Sequence, residues 1–173
     1  MEQFLIQKIV DRDEDAFEQL VKEYRHSVLN TIYRYIGDSA EAQDIAQEVF
    51  IKVWQHAKNF RGESRFSTWL YRIVVNQCLN YRAKKRESLP ILENTISSNS
   101  DVSFEDEEEK VAIKKAVNEL PERQRIALIL SKFEGKSYKE IAQIMKVSLS
   151  SVESLIFRAR ENLREKLLPL IKK

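Results

Sequence analysis

The chain has 173 residues, of which 43% are hydrophobic and 32% are charged, and its formal net charge is +2. This composition is typical of a soluble globular protein and excludes a disordered chain or an integral membrane protein. No apolar run approaches the roughly 20 residues that span a bilayer, and no signal peptide is recognisable. The single cysteine, Cys78, rules out an internal disulfide, so we expect a cytoplasmic protein with a buried, inert thiol.

Helical periodicity runs through the chain, and the three glycines fall between predicted helices. Gly37 ends the first long apolar pattern, while Gly62 and Gly135 separate later ones. Pro90 and Pro169 are predicted to mark helix ends. Because no segment shows a convincing alternation of apolar and polar residues, the sequence predicts an all-α fold of two small helical domains.

Residues 42–54 predict an amphipathic helix with one broad apolar face. The opposite face carries Asp44, Gln47, Glu48, Ile51 and Lys52. A solvated surface is the usual meaning of such a pattern. The apolar Ile51 among these polar residues is a weak indication of a protein partner.

Residues 60–72 place four aromatic residues and three arginines around a predicted glycine turn. Rings stack on unpaired bases, at about 1–3 kcal/mol each, and arginines hold phosphates. Core packing is the competing explanation, because Trp69 continues an apolar helical pattern. We therefore expect Trp69 to be at least half structural, and Phe60 or Phe66 to be less so.

No acidic residue occurs from 64 to 86, although nearly a third of the chain is charged. The basic residues of this stretch are Arg65, Arg72, Arg82, Lys84, Lys85 and Arg86. Asn76 and Asn80 add a polar stripe one helical turn apart. An acid-free stretch of this length is unusual for an ordinary solvated face and predicts contact with a DNA backbone.

Charge divides the chain into three parts. Residues 1–88 carry +1, residues 89–109 carry −7 and residues 110–173 carry +8. The acidic middle part mixes Pro, Ser and Asn with little periodicity, which predicts a flexible linker. The basic last part is typical of a nucleic-acid binder, although basic surfaces also occur in proteins without that role.

Residues 137–160 predict two short helices joined by a tight turn, the pattern of a helix-turn-helix. Ser137 and Glu140 form a capping box that starts the first helix. The second helix is predicted to present Ser150, Ser151, Glu153, Ser154, Phe157 and Arg158 outward. Such side chains reach base edges and phosphates, but an ordinary helical hairpin with a solvated face would show the same pattern.

Taken together, these segments resemble the extracytoplasmic-function group of bacterial sigma-70 factors. The resemblance lies in DIAQEVFIKVW at 44–54, FRGESRFSTWLYRIVVNQCLNYRAKKR at 60–86, ELPERQRIALIL at 119–130 and the helix-turn-helix at 137–160. It covers nearly the whole chain in order. It implies an N-terminal sigma domain in 1–88, the acidic linker in 89–109 and a C-terminal sigma domain in 110–173.

The resemblance implies a sigma factor that binds core RNA polymerase and directs promoter recognition and transcription initiation, in a stress or envelope response. Polymerase would be bound by Asp44, Gln47, Glu48, Ile51 and Lys52. The minus-ten element would be bound and melted by Phe60, Arg61, Ser64, Arg65, Phe66, Trp69, Arg72, Asn76, Asn80, Arg82, Lys84 and Arg86. The minus-thirty-five element would be bound by Ser150, Ser151, Glu153, Ser154, Phe157, Arg158 and Arg160. An anti-sigma factor is the expected inhibitor.

Two residues depart from the family pattern. Lys146 stands where a glycine is common in the turn, and a left-handed conformation there costs a non-glycine residue about 1 kcal/mol. Glu153 stands at an often basic position. If Ser148 caps the second helix, Glu153 faces the groove and accepts a hydrogen bond from a cytosine amino group. If Ser150 is the cap, Glu153 only completes a capping box. The sequence leaves both arrangements open, and we favour the one in which Ser148 is the cap.

Two other classes of function fit parts of the sequence. A duplex-binding helix-turn-helix regulator that acts without polymerase leaves the acid-free aromatic segment unexplained. A helical adaptor would bind only proteins. An enzyme fits least, because His26 and His56 form no metal-binding spacing, and neither a phosphate-binding glycine loop nor a nucleophile beside a base is present. We therefore expect no cofactor and no metal.

Overall fold

The computed structural model describes residues 2–88 and 104–171, which fold into eight α-helices. The N-terminal helices are α1 (Glu2–Val10), α2 (Glu14–Ile36), α3 (Ser39–His56) and α4 (Phe66–Ser88). The C-terminal helices are α5 (Phe104–Asn118), α6 (Glu122–Lys132), α7 (Tyr138–Met145) and α8 (Leu149–Ile171). No β-strand occurs in these two ranges, and the predicted all-α fold is confirmed.

Short polar side chains set the starts of α2 and α3. The carboxylates of Asp13 and Asp38 each accept a hydrogen bond, 3.0 Å long, from the backbone N–H three residues ahead. Between these two helices the chain turns at Gly37, whose φ of 83° is a left-handed conformation that favours glycine. The predicted helix end at Gly37 is confirmed, and the short connection lets α2 and α3 pack against each other.

The apolar faces of the helices form one core that runs through both halves of the protein. In the N-terminal half, α4 packs against α2 and α3, and the predicted apolar face of α3 is buried through Val49 and Val53. The same cluster continues into Ile129 of α6 and Ile141 of α7. Helix α6 lies against α2, and α7 lies against α4. The two halves therefore share an interface of buried apolar side chains.

Two segments are more helical in the structure than the sequence predicts. Helix α5 begins at Phe104, inside the stretch 89–109 that was assigned to the linker. The acidic sequence there suits the first turns of a helix, because negative charge stabilises a helix N-terminus. Residues 89–103, with Pro90, lie outside the described residues. Pro169 lies inside α8 rather than at its end, in the last turn, where its missing N–H removes only one late hydrogen bond.

Candidate nucleic-acid interface

The first turn of α8 is capped by Ser148. Its Oγ accepts a hydrogen bond of 3.1 Å from the N–H of Ser151, and its carbonyl accepts one of 3.2 Å from the N–H of Val152. Both bonds are those of an N-cap residue. The arrangement with Ser148 as the cap is therefore the one that the chain adopts, and Glu153 is not needed to cap the helix.

Helix α8 separates a buried side from an exposed one. Val152, Ile156 and Ala159 are buried against the helices beneath. The predicted outward residues are all exposed and form what we call the upstream face: Ser150, Ser151, Glu153, Ser154, Phe157, Arg158 and Arg160. Phe157 is 65% exposed, so its ring contributes little to the core.

The turn before α8 holds Lys146 in the left-handed conformation, with φ 54° and ψ 48°. The N–H of Lys146 donates to the carbonyl of Ala142, which also accepts a bond of 3.1 Å from Val147. The cost of a left-handed lysine predicted a slightly different turn, but Lys146 adopts the left-handed conformation that glycine favours. At its other end α7 has the predicted capping box, in which the Glu140 carboxylate accepts a bond of 2.8 Å from the Ser137 N–H. That bond holds the pKa of Glu140 below its usual range.

Three rings meet where the loop 60–65 enters α4. Phe60, Phe66 and Trp69 form an aromatic cluster in which each pair of ring centroids is 5.7 Å apart. Phe66 is 1% exposed and contacts Tyr24 of α2, whereas Phe60 and Trp69 are only half-buried. The expectation that Phe66 is less structural than Trp69 is therefore wrong, because the first turn of α4 directs Phe66 into the core. In this position Phe66 cannot stack on a base.

The loop 60–65, which begins at one of the two half-buried rings, carries exposed basic side chains. Arg61 and Arg65 are exposed, and Ser64 is half-buried. Gly62 has φ 72°, a left-handed conformation that bends the loop at little cost. Half of the predicted minus-ten residues thus come together at the start of α4, with Phe66 beneath them.

Further along α4, three of the predicted minus-ten arginines are engaged within the protein. Arg72 donates a bond of 2.8 Å to the carbonyl of Gln143 in α7. Arg82 donates one of 3.1 Å to the carbonyl of Tyr35 in α2. Arg86 forms an ion pair with Glu122 in α6. The other predicted residues of this helix, Asn76, Asn80 and Lys84, have exposed side chains.

The five residues predicted to bind polymerase form one stripe along α3, which we call the docking stripe: Asp44, Gln47, Glu48, Ile51 and Lys52. At one edge, Gln47 and Ile51 line a groove of about 770 Å³ between α2 and α3. At the other edge, the amide of Gln77 donates to Glu48 at 3.2 Å and accepts from Lys52 at 2.9 Å, when oriented to suit both. Sequence reasoning missed Gln77, whose buried amide joins the stripe to α4.

Residues 20–88 match the family model for Sigma-70 region 2, and residues 110–163 match that for Sigma-70 region 4. The RNA polymerase sigma-H factor of Pseudomonas aeruginosa is 37% identical to this chain, covering 99% of it and 96% of the relative. The ECF RNA polymerase sigma-E factor of Escherichia coli K12 is also 37% identical, covering 99% and 97%. This chain belongs to the extracytoplasmic-function subfamily of sigma-70 factors. It is a sigma factor, a promoter-specificity subunit of RNA polymerase, and not an enzyme.

Two solved structures resemble this sigma factor along most of its length. The sigma factor RpoE of Bartonella quintana, in complex with the anti-sigma factor NepR, is 25% identical with a TM-score of 0.70, covering 87% of this chain and 96% of that one. CnrH, in complex with the cytosolic domain of CnrY, is 22% identical with a TM-score of 0.72, covering 95% of each chain. The second likeness concerns the fold alone.

The two halves of the sigma factor are also joined by polar contacts that sequence reasoning missed. The carboxylate of Glu134, which follows α6, accepts bonds of 2.6 Å from Thr31 and 2.8 Å from Tyr71. Arg34 lies 4.0 Å from the same carboxylate. Burial raises the pKa of Tyr71 to about 12, so its hydroxyl remains a donor at neutral pH. The residues around Glu134 form no sequence pattern that predicts these contacts.

Arg125 is a second polar link, and it is only 3% exposed. Its guanidinium donates to the carbonyls of Val117 at 3.0 Å, Leu120 at 3.1 Å and Tyr35 at 3.3 Å. Burial lowers its pKa to about 10, so the group remains charged at neutral pH. Arg125 thus ties the corner between α5 and α6 to the end of α2. It lies in the quoted motif ELPERQRIALIL, but no feature of that motif predicts its burial.

Cys78 is buried, and burial raises the pKa of its thiol to about 12, which agrees with the expected inert cysteine. Within residues 2–88 and 104–171, no group of three or more His, Cys, Asp or Glu side chains is placed to hold a metal ion. None of the helices described is long and apolar enough to cross a membrane.

Proposed function

We propose that this sigma factor uses three separate surfaces to join core RNA polymerase to a promoter. The docking stripe binds the clamp helices of polymerase. The loop 60–65, with Phe60 and Trp69, captures unpaired bases of the minus-ten element. The upstream face of α8 enters the major groove at the minus-thirty-five element. The observation that carries the proposal is the upstream face itself, a row of exposed polar, aromatic and basic side chains on a capped helix whose other side is buried.

The upstream face has the chemistry of a major-groove reader. Residues in the first turns of a recognition helix contact base edges, and here they are short serines that allow close approach. Arg158 and Arg160 are exposed between one and two turns after Ser154. Their guanidinium groups suit phosphates or the edge of guanine. We therefore assign base contacts to the start of the face and backbone contacts to its basic end.

The aromatic cluster supports the capture of single-stranded bases. Phe60 and Trp69 are half-buried, which holds each ring at one edge while leaving surface for a base. Arg61 and Arg65 are exposed in the loop that joins Phe60 to α4, and they would neutralise phosphates of the same strand. Phe66 supports both rings from beneath. We expect Phe66 to act through this support rather than by direct contact.

The docking stripe combines charge with one large apolar side chain. Ile51 is 53% exposed on the stripe, and it borders a groove that Phe17 and Trp54 also line. An exposed apolar residue beside an apolar groove is typical of a protein-binding surface. The contacts of Gln77 with Glu48 and Lys52 hold the charged part of the stripe in place.

An anti-sigma factor is the third partner that we propose. The sigma factor RpoE of Bartonella quintana, which is 25% identical to this chain, was solved in complex with the anti-sigma factor NepR. We expect this chain to work in the cytoplasm, where polymerase and promoter DNA meet. A role in a stress or envelope response stays a prediction.

Binding to the clamp-helix fragment of core RNA polymerase tests the docking stripe. Ile51→Glu places a charge on the apolar part of the stripe and should weaken binding about 10-fold or more. Ile113→Glu is a matched control, because Ile113 is 49% exposed but lies on α5. The control should bind like the wild type. Equal binding by both variants and the wild type would place the docking surface elsewhere.

A wild-type chain that binds upstream duplex DNA but neither polymerase nor the clamp fragment would instead support the duplex-binding regulator. A chain that binds proteins but no promoter DNA would support the adaptor. Circular dichroism of each variant should be that of the wild type, since both substituted side chains are exposed.

A further inference from the structure

Glu153 is the one acidic side chain in the upstream face. It lies five residues after the cap Ser148, within the first two turns of α8, and it is exposed. Ser150 precedes it by nearly one turn, and Phe157 follows it by about one turn on the same side of the helix. Any duplex that meets Ser150 and Phe157 therefore also meets Glu153.

Within residues 2–88 and 104–171, the Glu153 carboxylate forms no ion pair. Among the described residues, no Lys or Arg lies within 4.0 Å of its oxygens. Because Ser148 is the cap, the carboxylate is not used at the helix start either. In a DNA complex this charge would be repelled by the phosphates. The repulsion is offset only where the carboxylate accepts a hydrogen bond from a base.

The major groove offers two kinds of amino donor to a carboxylate. Adenine presents its N6 amino group beside the acceptor N7, which repels the second carboxylate oxygen. Cytosine presents its N4 amino group with no acceptor of its own beside it. Guanine and thymine present only acceptors or a methyl group at the corresponding edge. A carboxylate in the groove therefore selects cytosine over the other three bases.

We propose that Glu153 is a specificity-determining residue that selects a C·G base pair in the upstream promoter element by accepting a hydrogen bond from the cytosine N4 amino group. The proposal rests on the proposed function of the upstream face and names one base of its target. It also predicts how the target changes with the side chain. A glutamine at this position both donates and accepts, and this pairing suits the N6 and N7 atoms of adenine.

The test is transcription by the full chain with core RNA polymerase on a promoter library randomised through the upstream element. The templates that yield transcripts are sequenced for the wild type, E153A, E153Q and E165Q. E165Q is the matched control, because Glu165 is exposed on the same helix about 18 Å further along and loses the same charge. All substituted side chains are exposed, so each variant should fold, which circular dichroism checks.

The wild type and E165Q should prefer cytosine at one position by about 5- to 30-fold. E153A should lose the preference at that position alone, and E153Q should favour adenine there. The proposal is overturned if E153A keeps the wild-type base preference everywhere, or if it loses preference evenly at all positions. A wild type that selects no upstream sequence with polymerase would instead overturn the proposed function.

Discussion

Phe60 and Phe66 are neighbours in the aromatic cluster, yet burial gives them different roles. The ring of Phe66 fills space between α2 and α4, whereas the ring of Phe60 closes the cluster from the loop side. Removing a buried ring leaves a cavity, while removing a half-buried one leaves mainly a solvated surface. Substitution by alanine should therefore affect mainly stability at Phe66 and mainly function at Phe60.

We predict that Phe66→Ala lowers the free energy of unfolding by about 3–5 kcal/mol, which urea denaturation measures. Phe60→Ala should cost less than half as much and leave the fold intact, but it should abolish strand opening at the minus-ten element. Equal losses of stability would contradict the burial difference. Normal strand opening by Phe60→Ala would contradict the assignment of its ring to base capture.

At the scale of single residues, exposure on a helix is easier to predict than the partner of a side chain. The outward positions of α8 follow from the 3.6-residue period, and each of them is exposed. The partners of Arg72 and Arg82 do not follow from any period, because they are carbonyl groups far away in the sequence. For the same reason the acid-free pattern of α4 did not distinguish arginines available to DNA from those held within the protein.

At the scale of helices, the turn between α7 and α8 is built without a glycine. Lys146 adopts the left-handed conformation that ends α7 and places Ser148 to cap α8. The conformation strains a residue that has a Cβ atom, but the two backbone bonds to Ala142 maintain it. The left-handed conformation of Lys146 therefore lowers the stability of the helix-turn-helix slightly, and a glycine at this position would remove that loss.

We predict that Lys146→Gly raises the free energy of unfolding by about 0.5–1 kcal/mol, because glycine adopts positive φ without strain. Lys139→Gly provides the control, since Lys139 is an exposed lysine inside α7. The control should lower stability by about 1 kcal/mol. Urea denaturation of both variants checks the signs, and a loss of stability in Lys146→Gly would contradict the account of the turn.

Helix starts and ends with polar caps or glycine were predictable, because the signals are local. The cap at Asp38, the end at Gly37 and the capping box at Ser137 all follow from a few adjacent residues. The start of α5 was not predictable, because an acidic stretch is compatible with both a linker and a helix N-terminus. Pro169 was predicted to mark a helix end, but it lies in the last turn of α8, where its missing N–H leaves one helical hydrogen bond unmade.

At the scale of the whole molecule, the two halves are held together by contacts between residues far apart in the chain. Glu134 joins Thr31 and Tyr71 across the interface, and Arg72 reaches Gln143. The sequence predicted two domains and the surfaces that each would expose, but it did not predict how the two halves pack together. Neither periodicity nor charge within one segment indicates which distant segment will face it.

We predict that Glu134→Ala loosens the interface, because the hydroxyls of Thr31 and Tyr71 lose their acceptor in the other half and keep only acceptors on Ser27 of α2. The free energy of unfolding should fall by about 1–3 kcal/mol. The mean distance between fluorophores on the two halves should also increase, which energy transfer measures.

Fluorophores for this measurement fit on cysteines introduced at Gln19 and Arg164, both of which are exposed. Glu165→Ala serves as the control and should change neither quantity. An unchanged distance in Glu134→Ala, with unchanged stability, would show that these hydrogen bonds do not hold the halves together.

Promoter opening requires polymerase binding, minus-ten capture and upstream recognition at once, so it tests all three proposed surfaces together. The measurement is permanganate reactivity of thymines in the minus-ten element, with core RNA polymerase in the presence and absence of the full chain. We expect reactive thymines only when both proteins are present. Unreactive thymines with both proteins present, on a promoter whose upstream element the chain binds as duplex, would contradict it.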